Sequence, residues 1–227
     1  DDDNFLAASD TVTITAAFDE AMTATPRISI SGTSISNQEM SKIWAQLGAD
    51  IDGEAAGDES GRNSVSLSSD GSRVAIGGYL NDGNGTSSGH VRIYQYNNNS
   101  WSQLGVDIDG EAAYDTSGIS ISLSSDGSRV AIGAYLNDGT SGNASDNRGH
   151  VRVYDYNGTA WVQVGLDIDG EATDDQSGYS VSLSSDGSRV AIGAPRNDGN
   201  GSNSGHVRIY GYNGSAWAQV GADIDGE

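Results

Sequence analysis

Apolar and polar residues alternate strictly in three short segments of the chain, with the letters SVSLS, SISLS and SVSLS at residues 64–68, 120–124 and 180–184. A period of two places all apolar side chains on one face, so each segment predicts a β-strand with one buried face. Each segment continues through an Asp-Gly pair, a strong hairpin signal, into the apolar run RVAIG. Such a run predicts a second strand that is covered on both faces.

Two more strand signals complete each unit. The segments GHVRIY, GHVRVY and GHVRIY begin at residues 89, 149 and 205, and WSQLG, WVQVG and WAQVG begin at residues 101, 161 and 217. The phrase SLSSDGSRVAIG begins at Ser66, Ser122 and Ser182, and DIDGE begins at residues 50, 107, 167 and 223. Repeats of this size with four strands each are typical of β-propellers. We therefore predict an all-β fold of β-propeller-type, four-stranded antiparallel blades with three clear repeats.

The repeats divide the chain into two regions. Residues 37–227 contain units at about 50–106, 107–166 and 167–222, whereas residues 1–36 do not share the repeat. Strands predicted at 11–18, 27–32 and 43–48 are expected to form an irregular fourth blade or to complete a sheet on a neighbouring molecule. The last letters are DIDGE, the start of a further unit, which favours a longer parent protein.

Charge and composition exclude several classes of function. The net charge is −21, with 32 acidic against 11 basic residues, so the surface repels nucleic acid and anionic lipid. The chain has no cysteine, which excludes disulfides and thiolate metal sites. No apolar run is long enough for a membrane span, so we expect no membrane insertion.

The acidic repeat DIDGE is the best candidate for chemistry. In the first three copies, acids stand at relative positions 1, 3, 5 and 9, a spacing that resembles a calcium-binding loop, although the glycine stands at position 4. The alternative is a solvated turn whose acids cap backbone amides. The predicted metal ligands are Asp50, Asp52, Glu54, Asp58, Asp107, Asp109, Glu111, Asp115, Asp167, Asp169, Glu171 and Asp175.

The remaining polar residues follow the repeat. His90, His150 and His206 occupy equivalent positions before Val-Arg, which favours a packing role. The loops NDGNG at 81–85 and 197–201 and NDGT at 137–140 could offer oxygen ligands to a metal, but turn formation alone explains their composition, and they are interpreted as turns. No nucleophile stands with a base and an orienting acid, and each candidate recurs in register, so we expect no enzyme activity and no catalytic residue.

The units resemble the FG-GAP repeat family, and residues 177–195, SGYSVSLSSDGSRVAIGAP, carry the resemblance most closely. Serine stands at 60, 117 and 177, where the family has phenylalanine, and the other two units read GGY and GAY in place of Gly-Ala-Pro. The resemblance implies an integrin-like β-propeller. Many members bind calcium between the first two strands of a blade, but SSDGSR is too short for that site here. Residues 1–36 resemble part of a bacterial Ig-like domain.

The resemblance implies an extracellular or cell-surface location and a role in adhesion or recognition. We expect a non-catalytic module that presents its loops to a protein or glycan partner, with calcium as a candidate cofactor of the acidic loops. The first alternative is a structural filament, sheath or fibre subunit that self-assembles through the N-terminal strands. The second is a propeller-based hydrolase or lyase.

Overall fold

The computed structural model describes residues 46–139 and 145–227, together with the backbone of residues 29–30 and 33–34. The chain divides into two units, Asp1–Leu47 and Gly48–Glu227. In the first unit, β1 (Ser29–Ile30) pairs with β2 (Thr33–Ser34) in an antiparallel ladder. The other strands predicted before residue 46, and with them the fourth blade and the Ig-like strands, lie outside the described residues.

Three antiparallel sheets, here called blades, make up the second unit. The first blade contains β3 (Val65–Leu67), β4 (Arg73–Gly78), β5 (His90–Asn97), β6 (Ser100–Gln103) and β7 (Ile108–Asp109). The second contains β8 (Ser120–Leu123), β9 (Arg129–Ala134), β10 (His150–Tyr156), β11 (Trp161–Gln163) and β12 (Ile168–Asp169). The third contains β13 (Ser180–Leu183), β14 (Arg189–Ala194), β15 (His206–Tyr212), β16 (Trp217–Gln219) and β17 (Ile224–Asp225).

In each blade the first four strands are neighbours in chain order. The predicted all-β fold of four-stranded antiparallel blades is therefore confirmed. The described residues contain no α-helix. Within that part of the chain, then, no helix of the length and apolarity needed to cross a membrane is found.

The fifth, two-residue strand of each blade differs from the sequence prediction, which treated DIDGE as a loop between blades. In the first blade, β7 pairs with the start of β5, with Ile108 opposite Val91 and Asp109 opposite His90. Ile108 is buried in the core, which explains why the acidic repeat keeps one apolar residue. The repeat therefore begins as a strand at the edge of one blade and continues as the connection to the next.

The core lies between successive blades. Val91 and Ile93 of the first blade pack in one buried cluster with Leu123, Val130 and Tyr154 of the second. The second and third blades form an equivalent cluster through Val151, Val153, Val190, Ile192 and Tyr210. β9 of the middle blade is buried along almost its whole length, as predicted for a strand covered on both faces, whereas β14 of an outer blade alternates between more and less buried residues.

The two ends of the blades differ in the chain segments they carry. At the turn end, the Asp-Gly hairpins follow β3, β8 and β13. Backbone hydrogen bonds join these hairpins: the Ser69 amide donates to the Ser125 carbonyl, and the Ser125 amide donates to the Ser185 carbonyl, both at 2.8 Å. At the opposite end, the loop end, lie the loops that follow β4, β9 and β14. The connections between blades lie there too, since the Tyr114 amide donates to the Thr86 carbonyl at 2.7 Å.

Candidate functional site

A histidine begins the third strand of each blade and forms the floor of a polar cluster. His90, His150 and His206 are the first residues of β5, β10 and β15. Their side chains are almost wholly buried, with 1–2% exposed. Each ring directs Nδ1 towards two carboxylates. We call these groups the His–Glu–Asp clusters, and their members are Glu54, His90 and Asp107; Glu111, His150 and Asp167; and Glu171, His206 and Asp223.

The two carboxylates of a cluster come from successive copies of the acidic repeat. In the second cluster, His150 Nδ1 lies 3.9 Å from a Glu111 oxygen and 3.8 Å from an Asp167 oxygen. Glu111 follows β7 and leads into the second blade, whereas Asp167 immediately precedes β12, which pairs beside β10. The chain that enters a blade and the chain that leaves it therefore meet at the histidine of its third strand.

The geometry recurs in the other two clusters. The distances from Nδ1 to the glutamate oxygen are 3.7 Å at His90 and 3.9 Å at His206. The distances from Nδ1 to the aspartate oxygen are 3.6 Å and 3.7 Å, respectively. All of these exceed the usual length of a hydrogen bond. Within each cluster the candidate ligand atoms lie within 4.8 Å of one another, so each could hold a metal ion.

An arginine two residues after each histidine holds the glutamate from its other side. Arg152 Nη1 lies 3.6 Å from the second oxygen of Glu111, and Nη2 donates to the Asp109 carbonyl at 2.7 Å. The guanidinium also lies over the ring of Tyr154, 5.6 Å from its centroid. The arginine thus fixes one glutamate oxygen and leaves the other facing the imidazole.

Burial sets the protonation state of the second cluster. Burial and, to a smaller extent, the nearby Arg152 charge together lower the pKa of His150 to about 4, while Asp167 opposes the shift. The imidazole is therefore neutral near pH 7 and retains a free lone pair. Burial also raises the pKa of Glu111, against the effect of Arg152.

The acids at position 9 of the repeat have a different role from those in the clusters. Asp115 is buried, and its Oδ2 accepts hydrogen bonds from the Ala112 amide at 2.9 Å and from Asn137 Nδ2 at 3.0 Å. Asp58 and Asp175 make the equivalent bonds with Asn81 and Asn197. These aspartates join the connection between blades to the Asn-Asp-Gly loop, which matches the alternative of acids that cap a turn.

The structure therefore separates the predicted ligands of each copy. Acids at positions 1 and 5 of the repeat lie in clusters, but the two acids of one copy belong to different clusters. For example, Asp107 lies in the cluster of His90, whereas Glu111 of the same copy lies in the cluster of His150. The acids concerned are Asp107 and Asp167 at position 1, and Glu54, Glu111 and Glu171 at position 5. Asp50, Asp52, Asp109 and Asp169 belong to none of the three clusters found in the described part of the chain. The carbonyl groups of position 3 accept from the arginines.

Sequence reasoning missed four cluster members, His90, His150, His206 and Asp223. The sequence favours a packing role for the histidines, because each has the same neighbours. Their burial agrees with packing, yet their Nδ1 atoms face acids. The available signal was that every histidine occurs in a unit flanked by two copies of DIDGE.

In the described part of the chain, none of the three His–Glu–Asp clusters lies at the turn end. Ser69, Asp70, Ser125, Asp126, Ser185 and Asp186 line an open depression of about 430 Å³. The Ser72 amide and the Ser68 hydroxyl bond to Asp70 and lower its pKa to about 2. Asp70, Asp126 and Asp186 each accept a hydrogen bond from a backbone amide of their own turn. That SSDGSR is too short for the calcium loop of the FG-GAP family stays a prediction.

Comparison with protein families identifies one of the units. Residues 166–210, which run from just before β12 into β15, match the model of the FG-GAP repeat. The chain carries an FG-GAP repeat. The resemblance drawn from residues 177–195 is therefore confirmed. No curated protein sequence matches the chain.

Two solved structures are similar to the chain at low sequence identity. A proposed 6-phosphogluconolactonase from Bacteroides fragilis is 12% identical, with a TM-score of 0.50, over 72% of this chain and 39% of that one. A second from Bacteroides uniformis is 14% identical, with a TM-score of 0.46, over 72% and 40%. The chain thus spans about two fifths of the length of these proteins. At 12% identity the first of them supports the fold and carries no information on activity.

Proposed function

We propose that the chain is an extracellular, non-catalytic β-propeller module that binds a protein or glycan partner at its loop end. Exposed tyrosines at that end carry the proposal. Tyr114 and Tyr179 are 63% and 52% exposed. Tyrosine supplies a large, rigid contact area at low cost in conformational entropy and is enriched in binding surfaces.

These tyrosines lie where adjacent blades meet. Tyr179 precedes the first strand of the third blade and packs edge-on against Tyr135, which follows β9 of the second, with ring centroids 5.4 Å apart. Tyr114 lies in the connection between the first and second blades. A ligand at this end would therefore contact more than one blade.

The positions of these tyrosines also differ between units, in contrast to the constant strand phrases. Asn63 and Ile119 stand where the third unit has Tyr179, and Gly57 and Asp174 stand where the second unit has Tyr114. Identical strands maintain the architecture, whereas variation at one end produces a surface that a single partner can recognise. Loops on a rigid scaffold commonly carry binding functions.

The repetition of the polar groups supports a module without catalysis. Each His–Glu–Asp cluster recurs in register with the same neighbours in all three blades. Active sites in proteins of this kind need one constellation that differs from the background of the fold. Among the described residues, the groups of His, Asp and Glu that could hold a metal are these three equivalent clusters.

Substitution of Tyr179 tests the binding proposal. Screening the chain on a glycan array and on a panel of secreted proteins identifies the ligand, and titration then gives its Kd. Tyr179→Ala is expected to weaken binding by about tenfold or more, because truncation of a central aromatic removes over 1 kcal/mol. Tyr179→Phe, which keeps the ring, is expected to retain most of the affinity. Equal affinity of the alanine variant and the unaltered chain would exclude this surface.

A second function, self-association, is favoured by the two outer faces of the blade stack. Val65 and Leu67 on the first blade are 57% and 58% exposed, whereas the equivalent Ile121 and Leu123 are 9% and 7% exposed under the first blade. On the third blade Ile224 is 57% exposed, whereas its equivalent Ile168 is 5% exposed. The internal contacts between blades show how such faces pair, so we propose that the first blade of one copy packs on the third blade of a second copy.

The mass in solution tests self-association. Sedimentation of the chain over a range of concentrations is expected to show species with a mass above that of one chain. The reason is that the blade faces that pack together inside the stack are also present, uncovered, on its first and third blades. Leu67→Lys is expected to remain at the mass of one chain. Val162→Lys is the matched control and should associate normally, because Val162 is 49% exposed but lies on the outer strand β11, opposite Asp155. A constant mass of one chain for the unaltered protein would contradict the idea.

A further inference from the structure

We propose that each His–Glu–Asp cluster is a binding site for a divalent metal of the zinc class, with one ion holding together the chain segments that enter and leave a blade. The site is assigned to an ion of mixed nitrogen and oxygen preference and not to calcium. It does not depend on the partner-binding proposal, since the clusters and the exposed tyrosines are different residues.

The orphaned imidazole nitrogen is the observation that points to a ligand. Nδ1 of His90 and of His206 is buried and has no hydrogen-bond partner. Both atoms nevertheless face two carboxylates at 3.6–3.9 Å. Buried polar atoms in folded proteins are almost always satisfied, so an unpartnered nitrogen calls for a missing neighbour. A cation between the nitrogen and the two carboxylates would satisfy all three groups.

The distances fit an ion better than they fit direct hydrogen bonds. Zinc lies about 2.0–2.2 Å from nitrogen and oxygen ligands in a tetrahedral site, so neighbouring ligand atoms are about 3.4 Å apart. The observed separations of 3.6–3.8 Å between Nδ1 and the aspartate oxygens require only a few tenths of an ångström of closure. A water molecule would complete four ligands, as in zinc sites with three protein ligands.

The donor set selects the class of metal. Calcium takes six to eight oxygen ligands, and the imidazole nitrogen at the floor of each cluster is not one of them. Imidazole with carboxylates suits zinc and neighbouring transition metals. The chain has no cysteine, so thiolate sites do not compete for such a metal.

The arginine beside each cluster fits this arrangement. Arg92, Arg152 and Arg208 approach the glutamate oxygen that faces away from the histidine, at 3.4–3.6 Å. One glutamate oxygen is therefore left for the metal. The two carboxylates of each cluster outnumber its single guanidinium, which favours a bound cation.

The positions of the ligands define what the ion would do. In the first blade, Glu54 lies in the segment before β3, His90 begins β5 and Asp107 lies just before β7. An ion joining them would tie the incoming chain and the outgoing chain to the third strand. An ion that binds the folded state but not the unfolded state raises the stability of the folded protein.

Metal titration of the full chain tests the assignment. After removal of metals with a chelator, ZnCl₂ is expected to raise the Tm by roughly 5 °C or more at a hundredfold excess over Kd, and to bind at one ion per cluster. CaCl₂ at the same concentration is expected to produce a much smaller shift. Co²⁺ should develop the visible absorption bands of a tetrahedral nitrogen and oxygen site.

Glu111→Gln removes one ligand at a half-exposed position and is expected to lower the zinc count by one ion per chain. Glu59→Gln is the matched control, because Glu59 pairs with Arg62 outside the clusters and its loss should leave the count unchanged. Asp167→Asn provides a second, independent change in the same cluster. An unchanged count in both cluster variants overturns the assignment, as does an equal response to calcium and zinc.

Discussion

Replacement of Leu123 by alanine is expected to lower the free energy of unfolding by about 2–4 kcal/mol, because the change leaves a cavity in a packed core. Leu123 is 7% exposed and packs with Val91 and Ile93 of the first blade and Val130 of its own. The cavity would therefore lie between two blades, where the fold gains most of its apolar burial. Urea denaturation of the variant and the unaltered chain measures the difference.

Leu67 provides an internal control for this prediction, since it occupies the same position in the phrase SLSSDGSRVAIG but is 58% exposed. Leu67→Ala is expected to change the free energy of unfolding by about 0.5 kcal/mol or less at low protein concentration. Two substitutions in identical sequence should thus differ severalfold. Equal losses at both positions would show that the stacking order of the blades is wrong.

Asp115→Ala is the second substitution with a large expected effect, a loss of about 2–4 kcal/mol in the free energy of unfolding. The carboxylate is buried, and its Oδ2 accepts from both the Ala112 amide and Asn137 Nδ2. Alanine would leave two donors without a partner, at about 1–3 kcal/mol for each. Thermal or urea unfolding provides the measurement.

Asp115→Asn distinguishes a turn-capping aspartate from a metal ligand. An asparagine oxygen in the place of Oδ2 can accept both hydrogen bonds, and burial raises the pKa of Asp115, so a neutral side chain is less costly there. The variant is expected to lie within about 1 kcal/mol of the unaltered chain and to bind as much zinc. Loss of one bound ion in this variant would instead show that Asp115 is a metal ligand.

The strands were predictable because the chain repeats a strict alternation. SVSLS, the Asp-Gly turn and RVAIG specify the alternation and the reversal of β3 and β4 within a few residues. They do not specify burial, since Val65 and Leu67 of β3 are 57% and 58% exposed, against the buried face that the alternation predicts. The two-residue strands were not predictable from their own letters. Ile108 and Asp109 are too few to show a period, and their pairing with β5 depends on the position of the third strand.

The candidate site was only half predictable for a related reason. The spacing of the acids predicted that one copy of DIDGE would gather its own carboxylates. In the structure Glu111 of one copy meets Asp167 of the next, because β12 returns beside β10 after the whole second blade has been formed. The spacing of the acids within one copy contains no information on the pairing of β12 with β10. The absence of enzyme activity and the identity of a partner remain predictions.

The central claim is that the blades carry equivalent metal sites between the chain entering and the chain leaving each blade. Anomalous scattering at the zinc absorption edge, from a crystal of the chain grown with zinc, tests it most directly. We predict three peaks, one beside Nδ1 of each of His90, His150 and His206. Peaks among Asp50, Asp52 and Asp58 and away from the histidines, or no peak at all, would contradict the account.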